Sequence, residues 1–276
     1  MPWFPDFTSA AELARKQTRA AGQADPVAQY VNALNGGHVG DLETVWPAEV
    51  VVYDPRAGEV SGHRHLRRFV SESQSFLAER HARTETVAST VVGGRAVVEM
   101  VVHLAEEEGE LAWPVAVVAE SPDDRSVVFR TYFSRWAITG QHHVRPPILK
   151  PGDAHPSGVV GRYRAALDAG DSDAIVGAFA ANGYFREPAG PHYTHRGTDE
   201  LRSFFNLCFS EGGGIGLQDC VVTDDGVRCV VEYNCVRWGS HGLAPQAGIG
   251  VYERGPDGLL NGVRIYDDVE PPVEQP

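Results

Sequence analysis

The sequence has no dense run of basic residues, no long apolar run and no Cys-x-x-Cys pair. Each absence removes a class of protein. Lysine and arginine total 24 against 37 aspartates and glutamates, a formal net charge of −13. Such a surface repels phosphate backbones, so no nucleic acid partner is expected. The densest basic patch, His63-Arg64-His65 with Arg67 and Arg68, reads as the exposed face of a helix. No apolar stretch approaches the ~20 residues that cross a bilayer, so no membrane partner is expected. The opening Met1-Pro2-Trp3-Phe4-Pro5-Asp6 has neither a charged n-region nor an apolar h-region. It does not read as a signal peptide, and a cytoplasmic location is expected. Cysteine is scarce: Cys208, Cys220, Cys229 and Cys235, all in the second half. Their spacing fits no zinc site, and free, mostly buried thiols are expected in a reducing cytosol. The run Gly212-Gly213-Gly214 follows a predicted helix rather than a strand, which argues against a phosphate cradle. No metal and no cofactor are expected.

What is present is an ordinary globular mixture repeated twice. Apolar residues make up 42% of 276 and charged residues 22%, enough for two cores. Tyr163-Arg-Ala-Ala-Leu-Asp168 stands 133 positions after Tyr30-Val-Asn-Ala-Leu-Asn35. Leu42 and Trp46 likewise match Ile175 and Phe179, and Asp54-Pro55 matches Glu187-Pro188. Gly62, Leu66, Arg67 and Phe69 match Gly197, Leu201, Arg202 and Phe204, now 135 positions on. The loop before that glycine is therefore two residues longer in the second copy. Prolines 146, 147, 151 and 156 mark a semi-rigid linker between the copies. The expected organisation is a leader helix over 1–24, a domain over 25–140, a linker over 141–156 and a second domain over 157–276. Ser9-Ala-Ala-Glu12 reads as a capping box opening the leader helix.

Each copy reads helix, helix, strand, helix and then strands. In the second copy Val159, Val160, Tyr163, Ala166 and Leu167 share one helical face. Gly170-Asp171 stops that helix and caps the next. A strand over 183–186 ends at Glu187-Pro188, and a third helix over 198–209 is capped by Thr198. Strands over 218–223, 227–237, 248–252 and 259–268 complete the domain, with turns such as Asp224-Asp225-Gly226 between them. In the first copy helices begin at Pro26, Asp41 and Gly62. This order predicts an α+β fold: two tandem cone-shaped half-barrels, each a curved antiparallel sheet packed on three helices. Such a cone leaves an apolar pocket at its open end.

The helical tyrosine, Gly-Asp, the aromatic of the second helix, Asp/Glu-Pro and Gly-x-x-x-Leu-x-x-Phe together resemble the nuclear transport factor 2-like superfamily. It includes ketosteroid isomerases, limonene epoxide hydrolases, scytalone dehydratases and SnoaL-like polyketide cyclases. The resemblance covers about 115 residues in each half and implies cystatin-like, cone-shaped domains. It also implies a pseudo-dimer of the two halves, because many single-domain relatives pair through the open sheet face. The chain is then a monomer or a homodimer of such units.

In ketosteroid isomerases a tyrosine on the first helix and an acid before a proline face the substrate. The spacing from Tyr163 to Glu187 is 24 residues, and so is that from Tyr30 to Asp54. A carboxylate at the mouth of an apolar cavity is a suitable base, and a tyrosine hydroxyl a suitable enolate donor. The second oxyanion acid of those isomerases has no counterpart near Gly250, or near Val115 or Ala116. SnoaL-like cyclases place an acid late in the domain, where Asp267 stands in the second copy and Phe133 in the first. The resemblance thus points to the second domain: Glu187 as base, Tyr163 as donor, and Asp267 or His192 assisting. His195 beside the same mouth is a further proton-relay candidate. Expected contacts to a hydrophobic substrate are Tyr233, Cys229, Val231, Phe204, Phe179 and Trp238, with Tyr30 and Asp54 in the first copy. Cys235 is expected to line the same cavity rather than act as a nucleophile.

The expected function is cofactor-free acid/base chemistry on a hydrophobic cyclic or polyketide-like molecule: isomerisation, aldol-type cyclisation or dehydration. The alternatives are a non-catalytic binding or assembly protein, and epoxide opening with Arg237 and Asp267 as loose candidates.

Overall fold

The computed structural model describes residues 19–107 and 109–268. The capping box at 9–12 lies outside the described residues. The chain is helical from Arg19 and touches the first domain at once. Arg19 Nε donates to the Val45 carbonyl oxygen at 3.2 Å, and Gln23 Nε2 donates to that of Asp124.

Helix α1 (Pro26–Gly36) opens where Asp25 Oδ1 accepts the Ala28 amide at 3.0 Å, with Pro26 at a position that needs no amide hydrogen. It ends at Gly37, whose φ of 71° is the left-handed conformation glycine tolerates best. The first domain continues through α2 (Val39–Val45), β1 (Glu49–Asp54), β2 (Gly58–Val60) and α3 (His63–Glu79). Then come β3 (Arg83–Val92), β4 (Arg95–Glu106), β5 (Gly109–Glu120), β6 (Ser126–Tyr132) and the short α4 (Trp136–Thr139). The second domain repeats the order with α5 (Gly158–Ala169), α6 (Ser172–Gly177), β7 (Phe179–Arg186), β8 (Thr194–Arg196) and α7 (Gly197–Cys208). It closes with β9 (Gly214–Asp224), β10 (Arg228–Gly239), β11 (His241–Arg254) and β12 (Leu260–Ile265).

The strands form two six-stranded sheets, β2-β1-β6-β5-β4-β3 and β8-β7-β12-β11-β10-β9. The expected antiparallel sheet carries one parallel pair in each copy, β1 beside β6 and β7 beside β12. The chain runs through a helix and a meander before its last strand returns alongside the first. Asp171 caps α6 as expected, its Oδ1 accepting the Ala174 amide at 2.9 Å. Thr198 does not cap α7. Instead Glu200 reaches back and accepts the Arg196 amide at 2.7 Å. Strands β9 and β11 begin earlier than expected, at Gly214 and His241. Ladder partners on β10 hold these glycine-containing segments extended despite their low strand propensity.

Each sheet has two buried faces. The inner face packs on its own helices: Met100, Val102, Val115 and Val117 in the first domain, Cys229, Val231 and Tyr233 in the second. The outer faces pack on one another. Val97, Ala116, Val118 and Tyr132 meet Val230, Ile249, Val251 and Tyr266 in a third apolar cluster. The halves thus form an intrachain pseudo-dimer, face to face across their sheets.

Two ion pairs cross this buried interface reciprocally. Arg130 donates from Nε and Nη2 to Glu232 at 2.6 and 2.9 Å, and the Tyr132 hydroxyl donates to the same carboxylate at 2.7 Å. Arg264 meets Glu99 at 2.6 and 2.9 Å, with the Tyr266 hydroxyl at 2.7 Å. Glu99, Glu232, Arg130 and Arg264 are each at most 3% exposed. Burial, reinforced by the facing glutamate, raises the Tyr132 hydroxyl well above its usual pKa, so it stays a donor.

Removing one glutamate takes the cross-interface partner from a buried arginine and a buried tyrosine, although Arg130 keeps Glu120 and Arg264 keeps Glu253 within their own domains. Glu232→Ala and Glu99→Ala are each expected to lower unfolding free energy by about 3–5 kcal/mol. Urea denaturation checks this; a loss below about 1 kcal/mol, the worth of an exposed pair, would show that the interface holds without them.

Candidate active site

Between the helices and the inner sheet face of the first domain lies a cavity of about 80 Å³. Its walls are mostly apolar, with Phe69, Trp113, Val115 and Phe133 among them. Asp54, Tyr30 and Thr131 bring polar atoms to it, and Arg56 and Phe76 stand on its more exposed side. The volume is below the ~150 Å³ that holds benzene. A ring-sized guest therefore requires partly buried side chains such as Phe76 and Leu77 to shift.

Asp54 ends β1 and is only 8% exposed. Its Oδ1 accepts the amides of Arg56 at 2.8 Å and Ala57 at 3.0 Å, the turn that Pro55 directs. Its Oδ2 has no hydrogen-bond partner among the described residues. Tyr30 reaches the cavity from α1, its ring stacked on Phe129 with centroids 4.4 Å apart. Its hydroxyl lies 3.4 Å from Thr131 Oγ1. Burial first, and the Asp54 charge second, push that hydroxyl far above its usual pKa. It therefore stays protonated and able to donate. Arg145 of the linker donates to the Thr131 carbonyl oxygen at 2.6 Å, and its charge acts on both Tyr30 and Asp54.

In the second domain the corresponding region is rich in aromatic rings. Tyr163 is enclosed edge-on by Phe179, Phe205 and Tyr252, with centroids 5.7, 6.4 and 5.6 Å away. Tyr252 occupies the strand position that Ala119 holds in the first copy. Tyr233, at the position of Met100, donates its hydroxyl to Asp267 Oδ2 at 2.5 Å. Gly248, at the position of Val115, makes this possible. A Cβ there would lie 2.6 Å from Asp267 Oδ2 and 2.6 Å from the Tyr233 ring. The weight placed on a second-domain pocket thus meets a core packed with the chain's own aromatic rings.

The other predicted residues are scattered around that core. Glu187 Oε1 pairs with His195 Nε2 at 2.7 Å, and His195 stacks on Phe204 with centroids 4.1 Å apart. No hydrogen bond joins Glu187 to Tyr163 among the described residues. His192 is exposed on the loop. Cys229 and Val231 are buried in the core, and Trp238 lies partly exposed at the end of β10. Burial pushes the thiols of Cys229 and Cys235 up to about 12, which leaves them unionised and poor nucleophiles. All four cysteines are free. Arg237, an epoxide-opening candidate, is committed to Asp168 and to the Gly214 and Gly239 carbonyls. Adjacent Asp267 and Asp268 do point apart: Asp267 meets Tyr233, while Asp268 accepts from Ser134 and the Arg135 amide of the first domain. Among the described residues, no cluster of histidine, cysteine or acids is placed to hold a metal. No described helix is long and apolar enough to cross a membrane.

The sequence reading brought Tyr30 and Asp54 into one cavity but missed Arg56, Phe76, Trp113, Thr131 and Arg145. The available signal was the set of positions where the copies differ. Val115 against Gly248 and Ala119 against Tyr252 distinguish a core with room from a core without it.

With this geometry in place, the family match takes a clear form. The SnoaL-like domain family matches twice, over residues 27–141 and 160–260, one match to each copy. The chain belongs to that family. Solved structures resemble it as single domains. A Sinorhizobium meliloti protein proposed to be a polyketide cyclase is 18% identical, with a TM-score of 0.33, covering 39% of this chain and 92% of its own. An uncharacterized cystatin fold protein from Novosphingobium aromaticivorans is 18% identical, with a TM-score of 0.34, covering 39% and 93%. The epoxide hydrolase/cyclase-like enzyme SalBIII, of pyran ring formation in the polyether salinomycin, is 20% identical, with a TM-score of 0.33, covering 39% and 86%. No curated protein sequence matches the chain.

Gly248→Ala must displace Tyr233 or Asp267, and overpacking of this kind costs about 1–3 kcal/mol. Unchanged stability in urea unfolding would show that the second core has slack to spare.

Proposed function

We propose that this protein is a cofactor-free acid/base enzyme that isomerises or cyclises a small apolar cyclic molecule in the first-domain cavity. One observation carries the reading: the Asp54 carboxylate and the Tyr30 hydroxyl line the same apolar cavity, with one Asp54 oxygen fixed by backbone amides and the other without a hydrogen-bond partner among the described residues. Membership of a family with cyclase and isomerase members agrees with it.

In this reading Asp54 Oδ2 takes a proton from the carbon beside a substrate carbonyl. The C–H electron pair becomes the enolate, whose oxygen accepts a hydrogen bond from Tyr30. Asp54 then returns the proton to a different carbon, which completes an isomerisation. Alternatively the enolate carbon attacks a second carbonyl, a C–C bond forms, and the new alkoxide takes the proton from Asp54. Either route regenerates the starting protein with no external oxidant or reductant. The amides of Arg56 and Ala57 hold the carboxylate in place, a positioning that acid/base catalysis requires. Arg145 and Thr131 support the tyrosine side of the cavity.

A second reading is non-catalytic binding of a small ligand. The observation favouring it is the same pair of turn amides, which would occupy Asp54 Oδ1 in a purely structural role as well. Deuterium incorporation beside the carbonyl of a cyclic ketone, followed by NMR in deuterium oxide, separates the two. Asp54→Asn is expected to slow exchange by about 10²–10⁴-fold. Tyr30→Phe is expected to slow it by about 10²–10³-fold, the effect of losing one oxyanion donor. Glu187→Gln in the second domain leaves it unchanged. Wild-type exchange in Asp54→Asn would move the conclusion to the binding role.

A further inference from the structure

We propose that the first-domain cavity takes its ligand as an anion: a small apolar ring carrying a carboxylate, which Arg56 receives at the cavity mouth with Arg80 and Arg135 beside it. The inference rests on the reading of this cavity as the functional site, and adds the class of molecule it selects.

Arg56 follows Asp54 by two residues and lines the cavity from its exposed side. Its guanidinium carbon lies 4.0 Å from the centre of the Phe76 ring. Arg80, at the end of α3, lies 4.1 Å from the same ring. Phe76 also meets Trp113 of the cavity wall, with centroids 6.3 Å apart. The two cations therefore converge on the aromatic side chain that must move when the cavity fills. Arg135, at the start of α4, is near enough to Arg56 to act on it electrostatically. Burial lowers the Arg56 pKa most; the Asp54 charge acts next and raises it, followed by Arg80 and Arg135, which lower it, and Glu72, which raises it.

These cations are poorly compensated. Arg56 and Arg135 make no side-chain hydrogen bond or ion pair among the described residues. Arg80 has only the Phe76 carbonyl at 3.4 Å and the exposed Glu79 at 3.7 Å. Glu72 lies 3.7 Å from Arg68. Elsewhere arginines hold closer carboxylates: Arg67 on Glu43 at 3.0 Å, Arg95 on Glu120 at 2.8 Å, Arg254 on Asp224 at 2.7 Å. In a chain of net charge −13, Arg56 at the cavity wall, with Arg80 on the same Phe76 ring, brings positive charge to one side of the first-domain cavity. An anion there relieves their repulsion and gains bidentate hydrogen bonds. The inner wall forbids the opposite orientation, since Asp54 would face the carboxylate. The ring therefore goes in and the charge stays at the mouth.

The test compares two probes of nearly equal shape, trans-cinnamate and trans-cinnamamide, titrated calorimetrically into the full-length protein at low salt. Cinnamate is expected to bind at least about tenfold more tightly, the size of one charge-assisted hydrogen bond. Arg56→Gln removes the preference. Arg135→Gln, which loses no side-chain bond of the folded state, reduces it, and Arg67→Gln on α3 retains it. Equal affinity for the two probes, a preference that survives in Arg56→Gln, or no binding of cinnamate at millimolar concentration would overturn the proposal. Asp54→Asn separates it from the functional reading. If exchange depends on Asp54 but cinnamate shows no preference, anion selection falls and catalysis stands. If the preference holds while Asp54→Asn exchanges normally, the reverse is true.

Discussion

The two halves depend on one reciprocal contact, a buried glutamate on each sheet gripped by an arginine and a tyrosine from the other. The apolar residues around it supply most of the favourable free energy of association, because area removed from water is what drives such faces together. They do not determine how the faces align. The glutamates do, since any slide of one sheet over the other takes Glu99 and Glu232 from their arginine and tyrosine partners, while Arg130 keeps Glu120 and Arg264 keeps Glu253 on their own sheets. The duplication explains the symmetry. One Glu–Arg–Tyr set, carried twice in the chain, pairs with its own copy as a homodimer would pair through a two-fold axis. The two copies keep this shared set of residues while differing elsewhere.

The divergence is concentrated on the inner faces. Where the first copy has Val115 and Ala119, the second has Gly248 and Tyr252. Where the first has Met100 and Phe133, the second has Tyr233 and Asp267, joined by a hydrogen bond. Tyr252 and Tyr233 add rings to the second cone, and Gly248 leaves the room that Tyr233 and Asp267 take up. Their combined result is a first domain with a cavity and a second with a polar-centred aromatic core. The two domains thus share one fold and differ in what it contains, which fits a division between a working half and a supporting half.

Much of this was legible in the residues. The period of 133 set the two copies in register, and the helix start at Asp171 followed from capping chemistry. The pairing of Tyr30 with Asp54 was legible only through the resemblance to ketosteroid isomerases, whose tyrosine and acid stand at a similar spacing. The parallel pairs β1–β6 and β7–β12 were not legible, because strand patterning shows which residues are buried but not the direction of a neighbour. The occupied second cavity was not legible either. Tyr163, Tyr233 and Tyr252 suit the wall of a pocket and the filling of a core equally well. Only their mutual distances show that they take up the space. Arg56 was overlooked for the opposite reason: a lone arginine after Asp-Pro carries no periodic signal, and its meaning comes from Arg80 and Arg135, which lie far away in the sequence.

The reciprocal grip also sets a timetable. Strand β1 finds its parallel partner once β6 has been made, so the first domain can close while the rest of the chain is still being synthesised. Its outer face cannot be covered so soon. Glu99 waits for Arg264, 165 residues further along. Until then Val97, Ala116, Val118 and Tyr132 stand as an open apolar surface around an uncompensated charge. The nascent first half is thus a sticky intermediate whose proper partner is the segment still to come. A second nascent copy presents the same face and is its natural competitor.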